Sequence, residues 1–371
     1  MPETPGDAIL VTGALGQIGT DLAEALRAKH GQDAVIASDV REVANHPFVE
    51  EGRFTRLSVL DGDAMDLVVE EEGVGTVYHL AAILSATGEK NPELCERVNV
   101  GGTITILETA RRHGLRVYSP SSIAVFGPDA PDRAPQVTPL NPTTTYGKTK
   151  VTGEVMAMNY WKQYGVDTRG IRYPGLVSWK SPPGGGTTDY AVEIFHAALN
   201  EGHYDCFVGS ETRLPMMYMD DAIRATLELM DAPADSIGEA RGGYNVSGIS
   251  FTAGELAETI SERVDGFTCD FKPDQRQVYA DSWPDSVDDS VAREEWGWQA
   301  EYDLTRMADE CWTDSQVSPD LPFHSASQVF EHPAWPRVHH LSLAHCRLLQ
   351  LSNQAHVAKR ITGRKHPTRP S

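Results

Sequence analysis

Five cysteines, Cys95, Cys206, Cys269, Cys311 and Cys346, are scattered through 371 residues with no C-x-x-C pair and no spacing that cages a metal. Their sparseness excludes a disulfide-built scaffold and a structural zinc site, and predicts reduced thiols and no bound metal. Runs of about 18 apolar residues are also missing, so nothing reads as a membrane-spanning helix. A first strand expected by Ala8 allows no signal or transit segment ahead of it, and a cytoplasmic location is the expectation. Basic residues are in short supply: 32 Lys and Arg stand against 53 Asp and Glu, a formal charge of -21. A surface of that sign repels phosphate backbones and anionic lipid, so neither nucleic acid nor membrane is an expected partner. A small molecule is.

What is present is a globular composition, 40% hydrophobic and 23% charged, in a chain long enough for one large domain with a smaller lobe. Apolar runs near 8–12, 34–39, 54–58, 76–80, 116–121 and 168–173 read as buried parallel strands. Amphipathic stretches near 17–29, 63–72, 92–113 and 145–164 read as the helices between them. This alternation predicts an α/β fold with a doubly wound, Rossmann-type parallel sheet over residues 1–178. A Pro/Gly-rich break at 182–186 and shorter elements up to Val317 predict a smaller α/β substrate lobe over 179–317. Residues 318–371 hold seven Lys and Arg, two Asp and Glu, and seven of the 13 His, with no periodic pattern. A basic, His-rich and loosely structured extension is expected there, because the His spacing lacks the ligand pairs of a metal site.

The first strand runs straight into Gly13-Ala-Leu-Gly16-Gln17-Ile18-Gly19 at the start of a helix. Gly13 permits the tight turn, Gly16 lets the backbone approach a pyrophosphate, and Gly19 allows close helix-to-strand packing. The helix start at Gln17 and Ile18 offers free N–H groups to the phosphates. Asp39 ends the second strand, placed to accept hydrogen bonds from an adenosine ribose and to repel a 2′-phosphate, which favours NAD over NADP. Arg41 argues the other way, since it can bind that phosphate if Asp39 swings aside. Asp61 either accepts from the adenine amino group or caps the next helix.

Tyr146-Gly-Lys-Thr-Lys150 places a phenol and an ammonium four residues apart on a predicted helix, hence on one face. Oxidation of an alcohol needs a base, and a phenol with an ordinary pKa near 10 is too weak at neutral pH. The Lys150 cation is expected to favour the phenolate and lower that value. Ser119-Pro-Ser121-Ser122 is a strand end opening into a loop, where α/β sheets bind ligands. Ser122 is expected to hydrogen-bond the reacting oxygen, with Ser121 as its nearest competitor.

Together Gly13, Gly16 and Gly19, the strand end His79-Leu80-Ala81-Ala82, Asn99 in Val98-Asn-Val-Gly-Gly102, Ser122, Tyr146, Lys150 and Arg172-Tyr173-Pro174-Gly175 resemble the extended short-chain dehydrogenase/reductase superfamily. The resemblance implies a Rossmann domain with bound NAD, and Ser122, Tyr146 and Lys150 as the catalytic set. It also implies that Lys150 holds the nicotinamide ribose, that Leu80, Ala81, Ala82, Asn99, Tyr173 and Pro174 border the cofactor, and that the chain forms a homodimer.

Further on, Gly184-Gly-Gly186-Thr187-Thr188-Asp189 precedes an amphipathic stretch at 191–199. Its glycines permit close backbone approach, the threonines can present hydroxyls and N–H groups to a carboxylate, and Asp189 can face an ammonium. Equally, Thr188 and Asp189 suit the cap and first turn of any helix. This segment, with Leu214-Pro-Met-Met-Tyr-Met-Asp-Asp221 and the run from Asp281 to Ser290, is similar to the short-chain-type L-threonine 3-dehydrogenases. That similarity implies NAD-dependent oxidation of L-threonine to 2-amino-3-oxobutanoate with Tyr146 as general base. It further implies that Ser85 and Thr187 touch substrate and that Trp283 helps close the pocket. The rival readings are a nucleotide-sugar epimerase or dehydratase of the same superfamily and a non-catalytic NAD-sensing protein. A tuned phenol argues against the second, because a scaffold has no need of one.

Overall fold

Residues 6–41, 50, 52–178 and 184–317 are described in a computed structural model. The extension expected at 318–371 lies outside them, as do residues 182 and 183 of the break at 182–186. The first half of the chain runs β1 (Ala8–Thr12), α1 (Gln17–His30), β2 (Val35–Asp39), β3 (Phe54–Arg56), α2 (Gly62–Glu72), β4 (Val74–His79), α3 (Ser85–Lys90) and α4 (Pro92–Glu96). A π turn at Arg97–Gly101 then leads to α5 (Gly102–His113), β5 (Arg116–Tyr118), β6 (Ser121–Ser122), β7 (Arg133–Ala134), α6 (Thr145–Tyr164), β8 (Thr168–Arg169), β9 (Ile171–Tyr173) and β10 (Gly175–Val177). The main sheet is parallel in the order β3-β2-β1-β4-β5-β8. The chain winds outward from β1 and then crosses to β4, so the order reverses between these two strands. Parallel α/β sheets bind ligands in the crevice at such a switch point.

Alternation along the strands divides the core. Ile9, Val11, Val35 and Ala37 join Leu22, Ala23 and Leu26 of α1 on one face, while Leu10 and Ile36 join Met65 and Val69 of α2 and Ile106 and Ala110 of α5 on the other. With both faces covered, the strands need continuous apolar runs, which is why they were legible in the sequence.

Two predicted strands are broken in the molecule. The strand expected at 116–121 splits into β5 in the main sheet and β6 in a second sheet of order β13-β9-β6, where β13 is Tyr244–Asn245. Pro120, which has no N–H for the ladder, sits at the break. The strand expected at 168–173 splits at Gly170, where an added Cβ would lie 2.5 Å from Ser119 O. Both strands bend at one level, and the bend turns β6 and its Ser122 toward α6.

The remaining elements are α7 (Tyr190–Asn200), β11 (His203–Cys206), β12 (Arg213–Tyr218), α8 (Met219–Asp231), then after β13, β14 (Ile249–Thr252), α9 (Ala253–Ser261), β15 (Thr268–Phe271), α10 (Gln275–Ala280), β16 (Ser286–Val287), α11 (Ser290–Trp296) and α12 (Leu304–Val317). They build a β10-β12-β14 sheet and a β11-β15 pair around a second core that includes Tyr190, Phe195, Phe251 and Leu256. This lobe is not contiguous in sequence. Residues 219–246 return to the first core: α8 packs on α1, β13 extends β9, and Trp298 is buried with α1. No helix among the described residues is long and apolar enough to cross a membrane.

Candidate active site

The turn after β1 is made of backbone. Gly13 has φ +70°, and a Cβ there would lie 2.7 Å from Ala81 N; a Cβ on Gly19 would lie 2.2 Å from Gly13 O. The turn, α1 and the β4 end therefore close on one another only because both positions lack side chains. Gly16 is the N-cap of α1 and brings no side chain to its first N–H groups, and the first turn has no acidic residue. The positive end of α1 is thus uncompensated, with residues 15–18 half-exposed at the rim, and this suits a pyrophosphate.

Asp39 is buried at the end of β2, where Oδ2 accepts the Leu15 N–H at 3.2 Å. Arg41 donates to it with Nε and Nη2 at 3.0 Å each, so the two residues in tension in the sequence are ion-paired. Asp61 caps α2 through Oδ1, accepting the Ala64 N–H at 3.0 Å. Leu80 and Ala81 are pinned to Thr12, and Ala81, Ala82 and Asn99 line a cavity that also touches Lys150 and Thr149. Two expected cofactor residues have their polar groups committed elsewhere. The Asn99 amide brackets Ile83 through both its N–H and C=O and donates to Thr149 Oγ1 at 3.1 Å. Tyr173 is buried in the core with its hydroxyl against Tyr118 and Thr226, leaving its main chain to border a ligand.

The Ser, Tyr and Lys anticipated from spacing meet. Thr144 caps α6 by accepting the Gly147 N–H at 3.0 Å, a contact of about 1 kcal/mol, and this starts the helix one residue before Tyr146. Ser122 Oγ accepts the Ala124 N–H at 3.1 Å, and its hydroxyl is hydrogen-bonded to the Tyr146 phenol. Ser121, the competitor, points elsewhere and donates to Glu154 Oε1. Glu154 is itself held by a buried bidentate pair with Arg172. Lys150 Nζ donates to Pro120 O at 2.8 Å and lies 5.6 Å from the centre of the Tyr146 ring.

The electrostatics correct one expectation. Burial pushes the Tyr146 phenol up to about 12, and the Ser122 hydrogen bond, not Lys150, is what pulls it down. Burial also lowers Lys150 to about 8. His79, buried beside them and bonded to Thr12 Oγ1 through Nδ1, is held down to about 3 by burial and is neutral.

On the substrate side, Ser85 opens α3, and its hydroxyl accepts the Thr187 N–H at 3.2 Å and contacts Thr187 Oγ1 at 3.2 Å. Gly185 O accepts the Ala86 N–H at 3.1 Å, so α3 and the glycine loop are joined twice. Thr188 packs its methyl beside Gly175, next to Pro174. Asp189 serves the loop with one of its two oxygens. Its Oδ2 accepts the Gly185 and Gly186 N–H groups at 2.8 and 2.7 Å, and burial raises its pKa to about 6. It clamps the loop without making a side-chain cap for α7. Trp283 packs against the cluster of Cys95, Ala124 and Tyr146, where it can wall the pocket.

One participant had no sequence signal. Glu89, at the far end of α3 from Ser85, accepts the Tyr146 N–H at 3.2 Å and the Thr145 hydroxyl at 3.4 Å. It directly follows the Ser85 segment but lies 57 positions away from Tyr146, so only the fold brings the two together.

A family model described as the NAD dependent epimerase/dehydratase family matches residues 9–246. A Staphylococcus aureus relative described as an uncharacterised epimerase/dehydratase is 48% identical over 301 residues, covering 81% of this chain and 94% of the relative. Among solved structures, a GalE-like L-threonine dehydrogenase from Cupriavidus necator in its holo form is 50% identical with a TM-score of 0.80, covering 83% of this chain and 99% of that one. A monomeric L-threonine 3-dehydrogenase from a metagenome is 52% identical with a TM-score of 0.81 at the same coverage. The dinucleotide turn, the switch-point crevice and the Ser122, Tyr146 and Lys150 cluster accord with these matches, and the chain belongs to the NAD-dependent epimerase/dehydratase family of extended short-chain dehydrogenase/reductases.

Proposed function

We propose that the chain oxidises L-threonine at its side-chain alcohol to 2-amino-3-oxobutanoate, with NAD as the acceptor. The observation that carries this reading is α3: Ser85 at one end engages Thr187 of the glycine loop, and Glu89 at the other adjoins the base, Tyr146. Small hydroxyl donors beside a phenol suit the carboxylate and alcohol of a compact amino acid. The descriptions of the Cupriavidus and metagenomic structures support the same substrate.

Tyr146, as phenolate, takes the hydroxyl proton while Ser122 holds the same oxygen. Lys150 would hold the nicotinamide ribose of a bound NAD, and when protonated it places positive charge 5.6 Å from the phenol ring centre. When bound, NAD supplies the acceptor for the hydride leaving the β-carbon. Ser85, Thr187 and Thr188 orient the amino-acid end, and Trp283 excludes water. NAD is preferred over NADP because the Asp39 carboxylate at the end of β2, paired with Arg41, would meet a 2′-phosphate with like charge. Turnover at equal cofactor concentration is expected to be faster with NAD, with the gap narrowed in Asp39→Ala; faster turnover with NADP would sink the assignment.

The deciding assay follows NADH absorbance with L-threonine, L-serine and a UDP-sugar offered separately. Turnover with threonine above the other two supports the proposal. Conversion of the sugar nucleotide without threonine oxidation establishes the epimerase reading instead, and NAD binding with no turnover establishes the sensor. Light scattering decides between the dimer implied by resemblance and the monomer in the metagenomic relative's description.

A further inference from the structure

The first turn of a helix presents N–H groups with no partner inside the helix. In α6 the Thr144 side chain satisfies that of Gly147, and α6 has no acidic residue in its own first turn. The missing carboxylate comes from another element. Glu89 Oε1 accepts the Tyr146 N–H at 3.2 Å and Oε2 accepts the Thr145 hydroxyl at 3.4 Å, from the last turn of α3. The same short helix begins with Ser85, which accepts the Thr187 N–H, while the next residue, Ala86, donates its N–H to Gly185 O. At six residues, α3 spans from the glycine loop at one end to the reacting phenol's backbone at the other. Its fit against both is close: an added Cβ on Gly88 would meet Cys95 Sγ at 2.8 Å and Tyr146 Cβ at 3.8 Å, and one on Gly185 of the loop would meet Thr87 Oγ1 at 2.8 Å. Tyr279 of α10, which leads to Trp283, also feels the Glu89 carboxylate.

We propose that Glu89 is a positioning residue, holding the first turn of α6 so that the Tyr146 phenol keeps a fixed distance from the Ser85 and Thr187 hydroxyls. It touches neither substrate nor cofactor in this role. This inference rests on the proposed alcohol oxidation, in which the base and the groups holding the substrate must keep register. Misplacement of a reacting group by about 1 Å is enough to cost about 10²-fold in rate.

The test compares Glu89→Ala with Glu89→Gln in the full chain. The glutamine retains a C=O for the Tyr146 N–H and drops the charge. Glu89→Ala is expected to lower kcat for threonine by about 10- to 100-fold with KM for NAD within about two-fold, and Glu89→Gln to recover most of that loss. Hydrogen exchange provides a readout that needs no substrate: amides over Thr145 to Lys148 should exchange faster in the alanine variant and at the normal rate in the glutamine variant. Wild-type kcat in Glu89→Ala would overturn the proposal. So would a glutamine variant as slow as the alanine one, since the charge rather than the tether would then be at work. If Glu89→Ala fails to fold, slow turnover in a folded Glu89→Gln still refutes it. A wild-type chain inactive on threonine would refute the substrate reading, while exchange that is unchanged in Glu89→Ala would refute the tether.

Discussion

At the scale of single residues, the informative pair is Tyr146 and Lys150, pushed by burial in opposite directions, the phenol up to about 12 and the ammonium down to about 8. The first proton to leave the pair therefore does so near 8. Whether it leaves nitrogen or passes from oxygen to nitrogen, the pair's net charge is the same, so the value belongs to the pair. Catalysis needs that proton gone, and kcat/KM for threonine is expected to rise with pH through an apparent pKa near 8. Lys150→Met should move the limb upward, toward the buried phenol's own range; a profile superimposed on wild type would show that the lysine takes no part. Tyr146→Phe removes one hydroxyl at nearly constant volume, so folding should survive while turnover falls by about 10²-fold or more. Near-normal threonine oxidation in that variant would assign the base elsewhere. Asp189 allows a stability test with a definite sign. Its folded pKa of about 6 lies above the ordinary value of 3.8, so the folded state holds its proton more tightly than the unfolded one. Its contribution is fully present below about pH 4 and is lost as pH rises through about 6. Asp189→Asn, which retains an acceptor for Gly185 and Gly186, should flatten the fall of the urea midpoint across that window, and an unchanged slope would discount the carboxyl.

At the scale of elements, the turn between β1 and α1 carries the plainest consequence. A Cβ on Gly19 would lie 2.2 Å from Gly13 O, so Gly19→Val must push α1 away from the turn. NAD affinity measured by calorimetry should fall by at least about tenfold, as expected when a cradle of backbone N–H groups is displaced; unaltered affinity would show that the turn does not hold the dinucleotide. The sequence periods located β1, β2, β4, α1 and α2 because each buries one clear stripe or a continuous run. They did not reveal that the strands near 116 and 168 bend into a second sheet. Apolar content is the same on both sides of Pro120 and Gly170, and only the close passage of Ser119 O by Gly170 shows why the ladder turns there. The helix expected as one piece at 92–113 is interrupted by the π turn at Arg97–Gly101, which carries Asn99 where its amide can bracket Ile83. A π turn of that kind carries no distinctive residue type, so nothing in the local sequence announces it.

At the scale of the whole molecule, about four fifths of this chain accounts for nearly the full length of its relatives, and the last helix described, α12, ends at Val317. Truncation after Val317 should therefore leave turnover within a few-fold of the full chain, whereas an unfolded or inactive product would show that the remainder packs on the fold. The sequence by itself determined the alternation of strand and helix, the glycine turn, the Tyr146 and Lys150 pairing and the choice of family. These depend on contacts within a few residues or on local periods, and such contacts are written in spacing. Only the tertiary structure showed that the Ser121 hydroxyl turns away to Glu154, which Arg172 holds, while that of Ser122 meets the phenol. It likewise made Asp189 a clamp on the glycine loop, returned 219–246 to the first core, and set Glu89 on the backbone of Tyr146. Each of these joins groups through hydrogen bonds that need distances near 3 Å, and a linear pattern carries no information about which distant residue will supply the partner.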